Sequence, residues 1–592
     1  MTAIVQTVFR TVYSVREVHP LTQIAMFCAA GIVVSLAASL LALTYGLDLS
    51  WDFFQDGASK PLVGRNDPRA ARPAIVCGSS FLSSILPVRA QTRWHAQRVD
   101  GLEWSRLLLP KARPMTVQFS VLVRIAVVSL FSVSHAAGIA AASEPDHVSL
   151  RESTIAWSTV RYATGADNGF VDGSLDTKTI IDRSFKTYVL ENRYLKVTLL
   201  PEFGGRILSI IYKPTGHEEL YRDEVGVPYG IKAGNFYYDW LMVYGGIFPT
   251  FPDAEHGKTW LKPWHFKIVK QSDGEVTVSM SLKDDFAFAA APKQFKRGST
   301  GIEATYYVTL KADRAALDAR IVLKNPQNAA IDYEYWTCTT LAPGSDPDHP
   351  MATGGAEIIG PIAAYSTPSW SKNLAEGDES MGPGRSRFER LRYFKNWPTM
   401  GIAYAAPDMQ GGNFWGVINH DNEEGIIRIA DNAITRGLKM WTWGFPSLAN
   451  DAVARREPNE AQPYVELWAG VSDQFFHEAS FPPLGEISIP ETYGPTIGMS
   501  NVTDANEHML VNLAAEGGRA NLQFVSLEPA TPLHVALKRG EAVLYDDAVQ
   551  ADPRGGNRIS VPIDGGGSGE WVKVTISTAD GNELIAAETR IK

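Results

Sequence analysis

Residues 302–323 read IEATYYVTLKADRAALDARIVL. In 302–310 and again in 317–323 apolar and polar side chains alternate, the period of a half-buried strand, and a short polar link joins the two runs into a hairpin. Working outward, the same period returns in 275–282 (EVTVSMSL), in 194–200 (YLKVTLL) up to Pro201, and in 207–212 (ILSIIY) beyond the Gly204-Gly205 turn. Capped helical periodicity is hard to find between 150 and 500. Many short strands punctuated by Gly and Pro predict a mainly β chain, a sandwich or barrel rather than a doubly wound α/β fold. The span 143–495 is too long for one immunoglobulin-like sandwich and suits a large two-sheet architecture with long excursions such as 343–396. After Tyr493-Gly494-Pro495 the composition changes. Alternating runs at 520–527, 533–537, 559–563 and 571–576, separated by Gly-rich turns, predict a small immunoglobulin-like accessory β-sandwich over 496–592.

The first 142 residues read differently. Residues 24–47 form an uncharged apolar run of bilayer-spanning length, a candidate membrane anchor. A second run, 125–142, follows Arg124, and the loop between the two is rich in Lys and Arg, which predicts that this loop stays inside and the body is sent out. Read from Met115, residues 115–142 resemble a secretory signal peptide, with small residues for cleavage at Ser134 and Ala136 or at 140–142. On that reading 1–114 is an N-terminal extension or follows a mis-assigned start. The expected location is periplasmic or extracellular, with membrane anchoring if 24–47 is translated and retained; a buried helical hairpin is the alternative. The formal charge of -10 over 592 residues speaks against a nucleic-acid groove and leaves sugars and other neutral small molecules open. Cys338 is the only cysteine of the body, so no disulfide can form within it.

Residues 245–266, GGIFPTFPDAEHGKTWLKPWHF, crowd glycines, prolines, tryptophans and His256 and His265 into a stretch too irregular for a buried strand. Such a loop reads as the rim of a pocket. Around it, 194–221 (YLKVTLLPEFGGRILSIIYKPTGHEELY) resembles the opening of aldose 1-epimerase (galactose mutarotase)-like proteins. Glu255-His256-Gly257 is similar to their His-Gly loop, 305–326 to their central hairpin with its Asn-Pro end, and 463–470 (PYVELWAG) to their late glutamate-bearing strand. Gly245-Gly246, Tyr335-Trp336, Trp441-Thr442-Trp443-Gly444 and Glu491-Thr492-Tyr493-Gly494-Pro495 look like a branch known as a domain of unknown function. The resemblance covers roughly 150–495. It implies a β-supersandwich with a sugar groove on one sheet, Glu466 as the base on the anomeric hydroxyl and His256 as acid or anomeric-oxygen binder. It implies neither a cofactor nor a metal. One departure stands out: where such proteins carry a second histidine after the hairpin, this chain reads Tyr333-Glu334-Tyr335-Trp336-Thr337-Cys338. Tyr335 or His265 is then an alternative proton source, or simple mutarotation is not the reaction.

The remaining candidates are substrate holders. Glu466 should face the side shared by Tyr464 and Trp468, where a carboxylate is costly unless used or paired, for instance in a salt bridge to Arg206. Arg206 could instead fork onto a sugar hydroxyl or carboxylate. Trp441 and Trp443, two apart, share one sheet face and suit a groove wall or a core equally. Asp346, Asp348 and His349 have the density of a cation loop, but turn chemistry accounts for them without a metal. The partner expected from all of this is a carbohydrate, for anomeric epimerisation, for lyase-type proton abstraction beside a uronate, or for binding alone.

Overall fold

The hairpin forms from strands Glu303–Lys311 and Leu317–Lys324, paired antiparallel. Ala304, Tyr306, Val308 and Leu310 point inward and the residues between them do not, as the period of two requires. The computed structural model describes residues 147–592 apart from 164, 166–170, 172–173, 175, 224, 227–244, 255–256, 258, 260–261, 288–297, 375–380, 382–383, 406–410, 446–462, 564–566 and 568. The apolar runs 24–47 and 125–142, and with them the anchor and signal-peptide readings, lie outside the described residues. No helix among the described residues is long and apolar enough to cross a membrane.

Among the described residues the strands build one 13-stranded and one 8-stranded sheet, two 4-stranded sheets and a two-stranded ribbon. In the smaller of the two main sheets the hairpin is flanked by Glu275–Lys283 and Glu486–Ile497. The large sheet runs from Gly401–Ala405 through Gly437–Thr442, Val465–Gly470, Trp336–Ser345, His217–Leu220 and Arg206–Tyr212 toward Ser149–Arg161. Ile207, Ile210 and Leu467 of the large sheet share one core with Val278, Tyr306 and Leu323 of the small one. Two sheets packed face to face over that core make a β-supersandwich. A second apolar cluster, including Trp157, Phe248, Trp336, Cys338 and Trp468, lies on the other face of the large sheet and has no member on a small-sheet strand. The large sheet is therefore apolar on both faces, and this outer face is where a site can sit.

The glycine pair of the crowded loop has a backbone reason. Gly245 and Gly246 hold φ of 137 and 80, and a Cβ on Gly246 would stand 2.2 Å from the carbonyl oxygen of Ile207. That close approach lets Ile247–Thr250 pair with both Trp336–Ser345 and Arg206–Tyr212. The stretch 343–396 is less of an excursion than its composition suggests. It contributes Ala356–Ile359 to the small sheet and Ala364–Ser366 and Arg385–Arg387 to the large one, runs too short to show a period.

The chain ends in a small sandwich of two 4-stranded sheets. Met509–Glu516, Arg519–Ser526 and Asn557–Pro562 pair in one, Ala542–Ala551, Thr531–Arg539, Trp571–Thr578 and Glu583–Arg590 in the other. The chain changes sheets repeatedly, the Greek-key habit of immunoglobulin-like domains. Ile359, Phe414, Ile418 and Ile427 of the small main sheet pack with Met499, Leu510, Val525 and Leu527 in a joint apolar seam.

His217–Leu220 carries two adjacent acids with opposite fates. Glu218 accepts from Ser209 Oγ and from the backbone N–H groups of Ile210 at 2.8 Å and Leu220 at 3.0 Å. Glu219 is fully buried, and neither of its oxygens has a partner among the described residues. Burial, then the charges of Glu424 and Glu218, push its carboxyl well above the ordinary carboxylate range. Below the ordinary value of 4.5 the unfolded chain is protonated as well and nothing is lost. As pH rises above it, the folded chain alone must keep the proton and stability falls. Glu219→Gln is therefore expected to raise the melting temperature by several degrees at pH 8 and by little at pH 4. Thermal unfolding followed by circular dichroism measures this; an equal shift at both pH values would rule out titration as the cause.

Candidate functional site

Four neighbouring strands of the large sheet place the candidate residues. Their register sets Lys439 opposite Trp468, Trp468 opposite Cys338 and Cys338 opposite Phe248; one row along, Trp441 stands opposite Glu466 and Glu466 opposite Thr340. Residues in register share a face, so these side chains gather on the outer face. Trp336 sits on the same face against two glycines. A Cβ on Gly470 would come within 2.2 Å of its indole and one on Gly437 within 2.7 Å.

Glu466 lies at the middle of this face and its side chain is 2% exposed. It accepts from Lys439 Nζ at 2.5 Å, from Trp468 Nε1, and from the Tyr464 hydroxyl at 3.2 Å. The carboxylate therefore meets Tyr464 and Trp468 as the strand period predicts, but its ionic partner is Lys439 rather than Arg206. The Lys439 ammonium also stands 4.4 Å from the Trp468 ring centre and 5.3 Å from that of Phe475. Phe475 meets Trp336 and Trp468 edge-on and closes this part of the face. Beyond Tyr464 the surface opens: Trp443 Nε1 donates to the Tyr464 hydroxyl at 3.3 Å, and the half-buried Trp441 and Trp443 meet edge to face at 5.3 Å. Trp370, 55% exposed, lies 6.3 Å from Trp441.

Arg206 reaches the same face without reaching solvent. Its guanidinium lies 5.0 Å from the Phe203 ring and 4.3 Å from the Phe248 ring, and it donates to the Phe203 carbonyl at 3.0 Å and the Gly245 carbonyl at 2.8 Å. Nη2 has no partner among the described residues. Complete burial draws its pKa down to about 9. The thiol of Cys338, between Arg206 and the Glu466–Lys439 pair, is pushed up by burial and by the charge of Glu466.

Two expectations need correction. Tyr335 is no substrate contact: one residue before Trp336–Ser345, it lies in the core between the sheets, where its hydroxyl meets Thr337 Oγ1 at 2.9 Å. Burial raises that phenol far above its ordinary range. His265 opens an edge strand of the small sheet and is exposed, because its neighbour Trp264 takes the inward position. His256 lies outside the described residues. Around it, Asp253 is buried and Thr259 Oγ1 donates to the Phe251 carbonyl at 3.1 Å.

Sequence reasoning passed over Lys439 and Glu334. Lys439 interrupts an otherwise apolar strand, GLKMWT, and a lone charge in such a run was the available signal. Glu334 occupies the segment where the second histidine is missing. Its N–H donates to the Pro252 carbonyl at 2.7 Å, and its carboxyl accepts Trp336 Nε1 at 2.8 Å. Burial first, with the nearby charges of Glu478 and Asp253, pushes this carboxyl up to about 7.

A family model described as a domain of unknown function (DUF5107) matches residues 172–494, and one described as the second domain of YphG-like proteins matches 504–587. Among solved structures the chain is similar to a TPR-domain containing protein from Parabacteroides distasonis, with 18% identity and a TM-score of 0.47 over 61% of this chain and 57% of that one. The chain thus spans little more than half the length of that protein. It is also similar to galactose mutarotase-like proteins from Clostridium acetobutylicum (10% identity, TM-score 0.35, 53% of this chain and 96% of that one) and Lactobacillus casei (11%, 0.34, 52% and 100%).

Two measurements follow from this geometry. Lys439→Met leaves Glu466 buried without its counter-ion and is expected to cost about 3–5 kcal/mol in urea unfolding, most of it recovered in the double variant with Glu466→Gln. Full additivity of the two losses would show that the ion pair is not coupled. For Glu334, tryptophan emission should shift with a midpoint near the carboxyl's value of about 7, through the Trp336 hydrogen bond, and the shift should vanish in Glu334→Gln.

Proposed function

We propose that this chain, which belongs to the family described as a domain of unknown function (DUF5107), is an exported carbohydrate-active protein that holds a sugar on the outer face of its large sheet. The observation that carries this reading is the half-buried Trp441 and Trp443, with Trp370, beside the fixed Glu466–Lys439 pair. Indoles stack on the C–H faces of a pyranose while a few placed polar groups take its hydroxyls. The simplest chemistry is epimerisation at the anomeric carbon. A base removes the anomeric hydroxyl proton while an acid protonates the ring oxygen, and Glu466 and His256 fill those roles. Export rests on the composition of residues 115–142.

One observation favours a second reading, binding without turnover. Glu466 already accepts from Lys439, Trp468 and Tyr464, so it can take a proton only after that ion pair opens. The lyase reading has less support. Arg206 would have to neutralise a uronate, and its side chain has no exposed surface.

Exchange spectroscopy by proton NMR on the anomers of glucose and galactose separates these readings. Epimerisation predicts accelerated exchange that falls about 100-fold or more in Glu466→Gln and His256→Ala, with sugar binding kept. Binding with no acceleration on any reducing sugar supports the second reading. Absence of binding across neutral, uronate-containing and oligomeric glycans would sink both.

A further inference from the structure

We infer a second sugar site, apart from the indole-lined face beside Glu466, in a cleft of the described chain lined by Trp157, Ser158, Arg222, Asp223, Asp348 and His349, which selects a neutral, hydroxyl-rich ring. The inference rests on the reading that this protein takes a carbohydrate. Glu466 has almost no exposed surface, whereas the cleft encloses about 410 Å³, inside the about 300–1,000 Å³ of small-molecule sites.

The walls are held in place from behind. Trp157 Nε1 donates to the Asp223 carbonyl at 2.8 Å, and the Tyr221 hydroxyl donates to Asp223 Oδ1 at 3.4 Å. Opposite, Asp346 Oδ1 accepts the Asp348 N–H at 2.9 Å and the Asp346 carbonyl accepts the His349 N–H at 3.1 Å. Arg222 Nη2 donates to the Pro347 carbonyl of that turn at 3.2 Å. The aspartate-rich turn is thus a tied wall that presents Asp348 and His349 at the mouth.

The lining also defines the ligand. Asp223, whose carboxylate accepts from Tyr221, and the exposed Asp348 line the cleft with one guanidinium, and Arg222 is partly committed to Pro347. Carboxylate oxygens accept sugar hydroxyls, while a phosphate or a uronate would meet more negative than positive charge. A path joins the cleft to the polar centre: the Tyr221 ring stacks on Tyr464 at 4.3 Å and 15°, and Tyr464 donates to Glu466.

The test uses the full chain and methyl glycosides of glucose, galactose and mannose, which bind without turnover, with glucuronic acid and glucose 6-phosphate as charged counterparts. Titration calorimetry and saturation-transfer NMR read binding in the wild type, in Asp223→Asn and in the mouth variants Asp348→Asn and His349→Ala, whose positions are exposed and leave the core untouched. Expected are binding of at least one neutral glycoside, about tenfold weaker binding in Asp223→Asn and His349→Ala, and weaker binding still of the charged sugars. If neutral glycosides bind equally well to the wild type and to both mouth variants, the cleft is not the site, although the broader sugar reading survives. Tighter binding of the charged sugars overturns the selectivity. No binding of any probe to the wild type overturns the cleft and the sugar reading together.

Discussion

A lysine and a carboxylate taken out of water each forfeit several kcal/mol of hydration, and their mutual attraction offsets this only when every remaining donor and acceptor is also met. Lys439 and Glu466 satisfy that condition through Trp468, Tyr464 and the surrounding ring faces. The demand fixes more than two residues. Slipping Gly437–Thr442 or Val465–Gly470 by one position would swing the charge into the apolar core between the sheets. The pair thus specifies the alignment of the strands that carry the indoles, and Trp336, seated on Gly437 and Gly470, supports the same alignment sterically.

Other buried polar groups are left in the opposite condition. Arg206 keeps one nitrogen without a partner among the described residues, and Glu219 keeps both oxygens so. A fold of this size carries a few such debts, and their positions differ in meaning. Glu219 bears on stability, while Arg206 holds Gly245 and so shapes the start of the loop that leads to His256.

Much of the architecture was legible because its signal is local. Period-two alternation in EATYYVTLK and LDARIVLK survives into burial almost residue for residue. The site was legible only in part. The side of the strand on which Glu466 lies follows from parity, but its partner does not, because Lys439 is 27 residues away and meets it only through strand pairing. Tyr335 failed for a related reason: next to Trp336, it belongs to the opposite face. His265 looked embedded among aromatics, yet an edge strand buries alternate residues only, and Trp264 took the inner place. Short strands such as Ala364–Ser366 carry too few residues for any period to appear.

The seam under the small main sheet has a consequence for how this protein is put together. Phe414, Ile418 and Ile427 point away from the main core and are covered by Met499, Leu510 and Leu527 from beyond the β-supersandwich. Tyr212 reaches across as well, donating to the carbonyl of Pro553. The terminal sandwich is therefore structural cladding and not a detachable module on a tether. Separating the two would leave an apolar sheet face exposed to water.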